Sequence, residues 1–230
     1  MIRLRRGPPP HSLATRGAAW TSRWLAIHAG QQKGDWATTA TKKLLASEVL
    51  KLAHGKCAFC ESLLEVTSFL EIEHYAAKTV HPGRAFEWGN LFPICRFCNG
   101  SRGDIDHGGL LLKPDVEDPE GLLWLNPDSG ELEPNGGLDT QTRDRVARTF
   151  EICKLQRGAL CAKRIKTMNQ TIHWLERMVE RGSLDRRLEK EWEHLTTPST
   201  EYKFVIRHVL RTRGQPQLAD HDRVKFEIEV

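Results

Sequence analysis

From Thr38 the chain places Leu44, Leu45, Val49, Leu50 and Ala53 on one helical face and Lys42, Lys43, Glu48 and Lys51 on the other. That spacing predicts an amphipathic helix, with Gly55 in the position that ends it. The stretch before it, with its Pro, Gly and Trp residues, predicts an extended arm and then a short helix near 15–28, where Trp20 and Trp24, with Trp36 beyond, are spaced for packing. Beyond Asp139 apolar residues return at three- and four-residue steps, from Val146 and Phe150 through Leu160, Met168 and Leu175 to Val179. This predicts helices, followed by a charged one in LDRRLEKEWEHL. Pro198-Ser199-Thr200 would open another, burying Phe204, Val205, His208 and Val209. The alternation in VKFEIEV predicts a half-buried strand. Between the helical halves, residues 57–104 hold short apolar runs broken by Gly and Pro, the pattern of a hairpin with loops. Residues 110–138, rich in Pro, Gly, Asp and Asn, predict an irregular connector with short strands or turns.

The expected class is α+β, mostly helical. At 230 residues and 39% hydrophobic, the chain can bury a core without disulfide staples. A net charge of +4 permits a polyanionic partner without requiring one. No run of about 18 apolar residues occurs, and MIRLRRGPPPHS has no apolar segment after its arginines, so neither a membrane span nor a secretory signal is expected. Of the six cysteines, four form two C-x-x-C pairs, while Cys153 and Cys161 stand alone in helical sequence. That distribution predicts a reducing, cytoplasmic setting with metal binding, the lone pair serving as small buried apolar residues.

Cys57-Ala-Phe-Cys60 and Cys95-Arg-Phe-Cys98 lie 34 residues apart, a spacing that lets two knuckles close across an inserted element. Four thiolates suit tetrahedral Zn²⁺. The alternative, a redox C-x-x-C, needs one pair beside a βαβ pattern that is absent here. Each knuckle carries a Phe that would cover the metal from water. A closed tetracysteine site has no open position for substrate, so any catalysis must come from a second centre.

The insert supplies candidates. Alternation in Leu70-Glu71-Ile72-Glu73 puts both glutamates on one side of an extended segment, with His74 at its end. Carboxylate and imidazole together are the minimum for metal-assisted hydrolysis, although exposed Glu-Glu-His strand ends are common without it. Closing the cysteine clamp would bring Asn99 near His74.

Taken together, Cys57-x-x-Cys60, Glu73-His74, Asn90 and Cys95-x-x-Cys98-Asn99 resemble the HNH endonucleases in their zinc-stapled form. More narrowly, GKCAFCE, EIEHY-x-x-K, W-x-N-L and C-x-x-CN resemble the HNH nucleases of bacterial anti-phage systems, the Septu type and its retron-associated relatives. The similarity covers about residues 45–125, between an N-terminal arm (1–44) and a helical region (126–230). It implies a ββα-metal core in which His74 is the general base, Asn90 fixes the loop and the imidazole, and Asn99 holds the variant third position. Glu73 and Asn99 would hold one Mg²⁺ or Mn²⁺. The resemblance further implies a prokaryotic defence effector that cuts DNA and works with an ABC/SMC-like ATPase docked on residues 139–230. Where relatives carry Arg-Pro, this chain has Ala76-Ala77, leaving Lys78, Arg84, Arg96 and Arg102 as candidate phosphate contacts. A zinc-stapled binding or adaptor module without catalysis, or a nuclease acting on RNA or tRNA, are the alternatives. Trp88 beside Asn90 could pack or stack on a base, and Asp104 could brace Arg102 or the knuckle. His81 and His107 are reserve candidates.

Overall fold

The computed structural model describes residues 1–230 except 2, 67–68, 104, 108, 182–184 and 220–230. Helices occupy about half of the chain, with two small antiparallel sheets between them. The expected C-terminal strand in VKFEIEV and the expected brace Asp104 lie outside the described residues.

Helix α1, His11–His28, starts earlier than its sequence pattern predicts, directly after the proline run, with Pro10 in the capping position. Proline has no N–H to leave unsatisfied there, so the run sets the start of the helix. Helix α2, Thr39–Leu52, is capped by the Thr38 side chain, which accepts from the Thr41 N–H. Its end is a Schellman motif: Gly55 N–H bonds Leu50 O at 2.9 Å, and His54 N–H bonds Lys51 O at 3.1 Å. His54, at φ +52°, takes the left-handed position one residue before the expected Gly55.

Strand β1, Leu70–His74, pairs antiparallel with β2, Leu91–Cys95, so that Glu73 faces Phe92 and His74 faces Leu91 in register. Helix α3, Arg96–Arg102, follows β2 without a connecting residue. A short helix α4 (Pro119–Leu122) leads into β3 (Leu123–Leu125), which pairs with β4 (Leu132–Pro134). The long helical reading after Asp139 resolves into α5 (Thr140–Ile152) and α6 (Gly158–Arg181), separated by a break where Lys154 adopts φ +47°. Helices α7 (Arg186–Thr196), α8 (Lys203–Thr212) and α9 (Pro216–Ala219) complete the described chain. Helix α8 begins after a left-handed Tyr202 rather than at Pro198.

One continuous apolar core joins Met1 and Leu4 of the arm, the cysteine knuckles, Leu123 and Leu125, and the inner faces of α5, α6 and α8. It crosses the boundary expected near residue 125. Val146, Trp174 and Val209 are buried in this core. The inner faces of α5, α6 and α8 are buried in this core, while Val179 near the end of α6 is exposed. A second cluster, built from Trp24, Trp36, Leu45, Val49, Phe86 and Leu91, packs α1 and α2 against the strand pair.

Candidate metal centre and adjoining cleft

The two knuckles meet at the base of the strand pair. Cys57, Cys60, Cys95 and Cys98 are buried, and their sulfurs all lie within 4.8 Å of one another. Among the described residues this is the only group of three or more His, Cys, Asp or Glu side chains close enough to share an ion. Cys60 Sγ and Cys95 Sγ are 3.7 Å apart, matching the edge of about 3.8 Å that Zn–S bonds of about 2.3 Å give a tetrahedron. Without a cation, so compact a set of thiols cannot ionise together. Burial and the neighbouring thiols push the Cys57 thiol up, and hydrogen bonding within the cluster pushes Cys98 up. Hydrogen bonding to Cys57 pulls Cys60 and Cys95 down. The donor set thus fits one zinc ion.

The surroundings also suit a negatively charged thiolate cluster. Arg157, in the break between α5 and α6, points Nη1 at Cys98 Sγ (3.8 Å) and Nη2 at Cys95 Sγ (4.0 Å). Cys60 Sγ lies 3.5 Å from Ser62 Oγ, which in turn lies 3.0 Å from the Tyr202 hydroxyl. The helical region therefore supplies outer partners to the cysteines, the kind of contact that orients metal ligands. Nothing in the Cys-x-x-Cys spacing could have announced Arg157 or Tyr202, which lie 59 residues beyond Cys98 and 140 residues beyond Ser62.

The two phenylalanines of the knuckles part company. Phe59 is buried, whereas Phe97 is 63% exposed and does not cover the site as expected. The Arg157 guanidinium lies over the Phe97 ring at 5.5 Å.

Helix α3 has seven residues, too short to hold itself in water. Cys95 caps it, its sulfur accepting from the Cys98 N–H at 3.4 Å. Gly103, at φ +62°, ends it in a conformation that disfavours other residues. Anchored this way, α3 lies against the glutamate face of β1. Asn99 Nδ2 donates to Glu71 Oε2 at 2.6 Å, and Arg102 Nε donates to Glu73 Oε1 at 2.5 Å.

Beside this contact a cleft of about 250 Å³ is lined by Ile72, Glu73, His74, Lys78, Asn99 and Gly103, among others. Three of the expected site residues, Glu73, His74 and Asn99, thus share one cavity with Lys78. His74 is buried, with its ring edge-on to Trp36 (centroids 4.6 Å apart, planes at 88°). Its Nε2 lies 3.0 Å from the Ala85 carbonyl. A carbonyl only accepts, so Nε2 carries the proton and Nδ1 is the basic nitrogen of the neutral ring. Asn90, fully buried, accepts from Ala76 N–H at 2.7 Å and donates to Ala76 O at 3.1 Å and Arg84 O at 3.0 Å. It ties the two sides of the loop that presents the Ala85 carbonyl to His74. Burial holds the Glu73 carboxyl above its usual range, against the opposing pull of Arg102 and Lys78.

The expected phosphate contacts are placed differently from one another. Lys78 is half-buried at the cleft, Arg96 is exposed on α3, and Arg84 is exposed and pairs with Glu87 at 2.7 Å. Arg102 is 2% exposed and directed at Glu73, with Phe59 and Tyr75 rings beside it, which removes it from the surface where a phosphate would arrive. Trp88 is held by the arm: its Nε1 donates to Gly7 O at 3.2 Å and Arg6 lies over its ring, a packing role. His81 has a carboxylate partner that the sequence reading missed, Asp106, at 2.8 Å. Asp106 also accepts from the Ala77 N–H at 3.4 Å, next to the cleft. His107 is buried, with Nε2 3.3 Å from Arg102 O.

These features define a protein in which a tetracysteine site fitted for zinc fastens a strand–strand–helix element that carries a polar cleft. No protein-family model matches the chain. Among curated proteins, it is 31% identical over 127 residues to the Septu protein PtuB of Bacillus thuringiensis, an alignment covering 54% of this chain and 46% of that protein. It is 28% identical over 204 residues to the Septu protein PtuB of Bacillus mycoides (strain KBAB4), covering 69% of this chain and 65% of the relative. The chain thus spans about half to just under two thirds of the relatives it matches, and it is related to Septu proteins. No helix among the described residues is long and apolar enough to cross a membrane.

Proposed function

We propose that the protein is a metal-dependent HNH endonuclease serving a Septu-type anti-phage defence system. The observation that carries this reading is the convergence of Glu73, His74 and Asn99 on one cleft, on a hairpin and helix fastened by the tetracysteine site. The similarity to two Septu proteins supports the defence role.

In this reading His74 is the general base. With Nε2–H held by the Ala85 carbonyl, Nδ1 takes a proton from the attacking water, and Trp36 and Asn90 keep the ring and its loop in place. Glu73 and Asn99 offer hard oxygen donors to Mg²⁺ or Mn²⁺. They fit such an ion: Asn99 spends its amide N–H on Glu71, which leaves its oxygen as the donor, and a carboxylate as buried as Glu73 gains from a cation beside it. When bound, the ion supplies charge neutralisation at the scissile phosphate and the leaving oxygen. Lys78 and Arg96 position the phosphate backbone, and the site reads phosphate geometry on DNA. The zinc has no catalytic part. An ATPase of the ABC/SMC-like kind would be the partner that restrains or targets the nuclease.

The test is incubation of plasmid DNA and of RNA with Mg²⁺ or Mn²⁺, comparing wild type with His74→Ala at equal zinc content and thermal stability. Loss of plasmid cleavage in the variant supports the reading. Equal cleavage by both overturns it, and cleavage of RNA alone moves the substrate to the second reading.

A further inference from the structure

Helix α3 meets β1 through two matched pairs of side chains. Asn99 and Arg102, three residues apart and so on one face of the helix, reach Glu71 and Glu73, two residues apart and so on one face of the strand. Both carboxylates are thus engaged by α3 before any ion is considered. The two pairs differ in charge and depth. Asn99 offers Glu71 a neutral amide, whereas Arg102 offers Glu73 a full positive charge, and both members of that second pair are buried, with Nε and Oε1 2.5 Å apart.

Arg102 is held where it stands. Its Nη2 donates to the Tyr75 carbonyl at 3.4 Å, and the Phe59 and Tyr75 rings lie 5.6 Å and 6.0 Å from its guanidinium carbon. Separating the pair would leave two buried charges uncompensated, which is strongly unfavourable. A divalent cation that takes Glu73 as a ligand must therefore share it with a guanidinium that stays in place. Two cations on one carboxylate repel each other, and the repulsion is large where little water screens it. A phosphodiester entering the cleft offsets this, because it adds negative charge beside the ion and its oxygens are further hard donors to it.

Resting on the nuclease reading of this cleft, we infer that Arg102 is a positioning residue that holds the Glu73 carboxylate and keeps the cleft from loading Mg²⁺ or Mn²⁺ until a nucleic-acid phosphate arrives. Ion and strand then bind as a pair. The protein stays without its second cation while the cleft holds no strand, and a strand that enters completes the site that cuts it. Arg102 acts here through Glu73 and touches neither the phosphate nor the attacking water.

The test is titration of the zinc-loaded protein with Mn²⁺, free ion being read by its paramagnetic resonance signal, alone and with a phosphorothioate DNA duplex whose own Mn²⁺ binding is subtracted. Wild type alone should bind Mn²⁺ only in the millimolar range, and the duplex should tighten this by about tenfold or more. Arg102→Gln should gain about as much with no duplex present, Arg102→Lys should bind as wild type does, and Glu73→Gln added to Arg102→Gln should remove the gain. A purely structural role for Arg102 predicts the opposite, since a disturbed site binds more weakly. Micromolar binding by wild type alone, which needs no variant to fold, overturns the inference and leaves the nuclease reading standing. So does an affinity that the duplex leaves unchanged, or one that Arg102→Gln fails to raise with its zinc retained. No Mn²⁺ bound by any of these proteins, with or without duplex, removes the ion site itself, and the nuclease reading falls together with the inference.

Discussion

Cys57-Ala-Phe-Cys60 and Cys95-Arg-Phe-Cys98 have nearly the same sequence and opposite surroundings. In the first, Ala58 and Phe59 are buried, the Ala58 N–H bonds Pro93 O at 2.9 Å, and Ser62 reaches Tyr202 of the helical region. In the second, Arg96 and Phe97 face solvent and the chain runs straight into α3 and Asn99. The cysteines of both knuckles belong to the core, but the first knuckle also buries its two central residues while the second turns its own to solvent. The difference explains how a seven-residue helix can hold a side chain at a defined place beside His74. The core and the strand pairing hold the cysteines of both knuckles in place, an ion held by the four sulfurs would tie the two together, and α3 follows.

The strongest way to break this contrast is to remove the metal. Cys57→Ser and Cys98→Ser should both abolish the single zinc per chain, measured by elemental analysis. Structural zinc contributes on the order of 10 kcal/mol of folding free energy in small domains, so both should lose cooperative thermal unfolding or melt far below wild type. Retention of a normal melt by Cys98→Ser would show that the second knuckle does not depend on the metal.

The phenylalanines give the next largest separation. Phe59→Ala should cost about 3–5 kcal/mol, as for a large core deletion. Phe97→Ala, at a side chain that is exposed beside Arg157, should cost less than about 1 kcal/mol in the same denaturant titration. Equal costs would mean that the two knuckles share one environment after all. Between these lies Asn90→Ala, which leaves Ala76 N–H, Ala76 O and Arg84 O without their buried partner and should cost about 2–3 kcal/mol. Its damage should centre on the loop before β2, visible as faster amide exchange near Ala76 with zinc still bound.

The smallest effect is a pH dependence on the side of the first knuckle. His208 on α8 packs on Phe204 and against Trp124, and burial, with Arg211 adding, lowers its pKa below 6.5. A depressed histidine pKa means that the unfolded chain binds the proton more readily. Its contribution to stability is therefore complete above about pH 6.5 and is lost as pH falls through that value toward the lower folded one. Thermal melts between pH 7.5 and 5 should show this slope, and His208→Gln should flatten it.

Much of this contrast was legible in the sequence, and its asymmetry was not. The two C-x-x-C pairs announce a four-sulfur site because thiol spacing maps directly onto ligand geometry. Alternation in Leu70–Glu73 likewise places both glutamates on one strand face, where α3 meets them. Local pattern could not reveal that Phe97 would be exposed, since burial depends on what the remote helices cover. The same holds for Arg102: its charge and its place after Cys98 suggest a phosphate contact, yet Glu73 captures it in the interior. Trp36 against His74, Arg157 beside the cysteines and Asp106 on His81 are all tertiary pairings across long separations. Their types and spacings carry no local signal. The start of α1 and the break at Lys154 turned on prolines and a left-handed residue that periodicity alone does not weigh.

The central claim is a division of labour, with zinc holding the scaffold and a different cation serving the cleft. Plasmid nicking by protein that already carries one zinc per chain, titrated with added Mg²⁺ or Mn²⁺, tests it most directly. Cleavage should be absent with zinc alone and should rise to saturation as the second cation is added. Full cleavage by the zinc-loaded protein with no added cation would contradict the division.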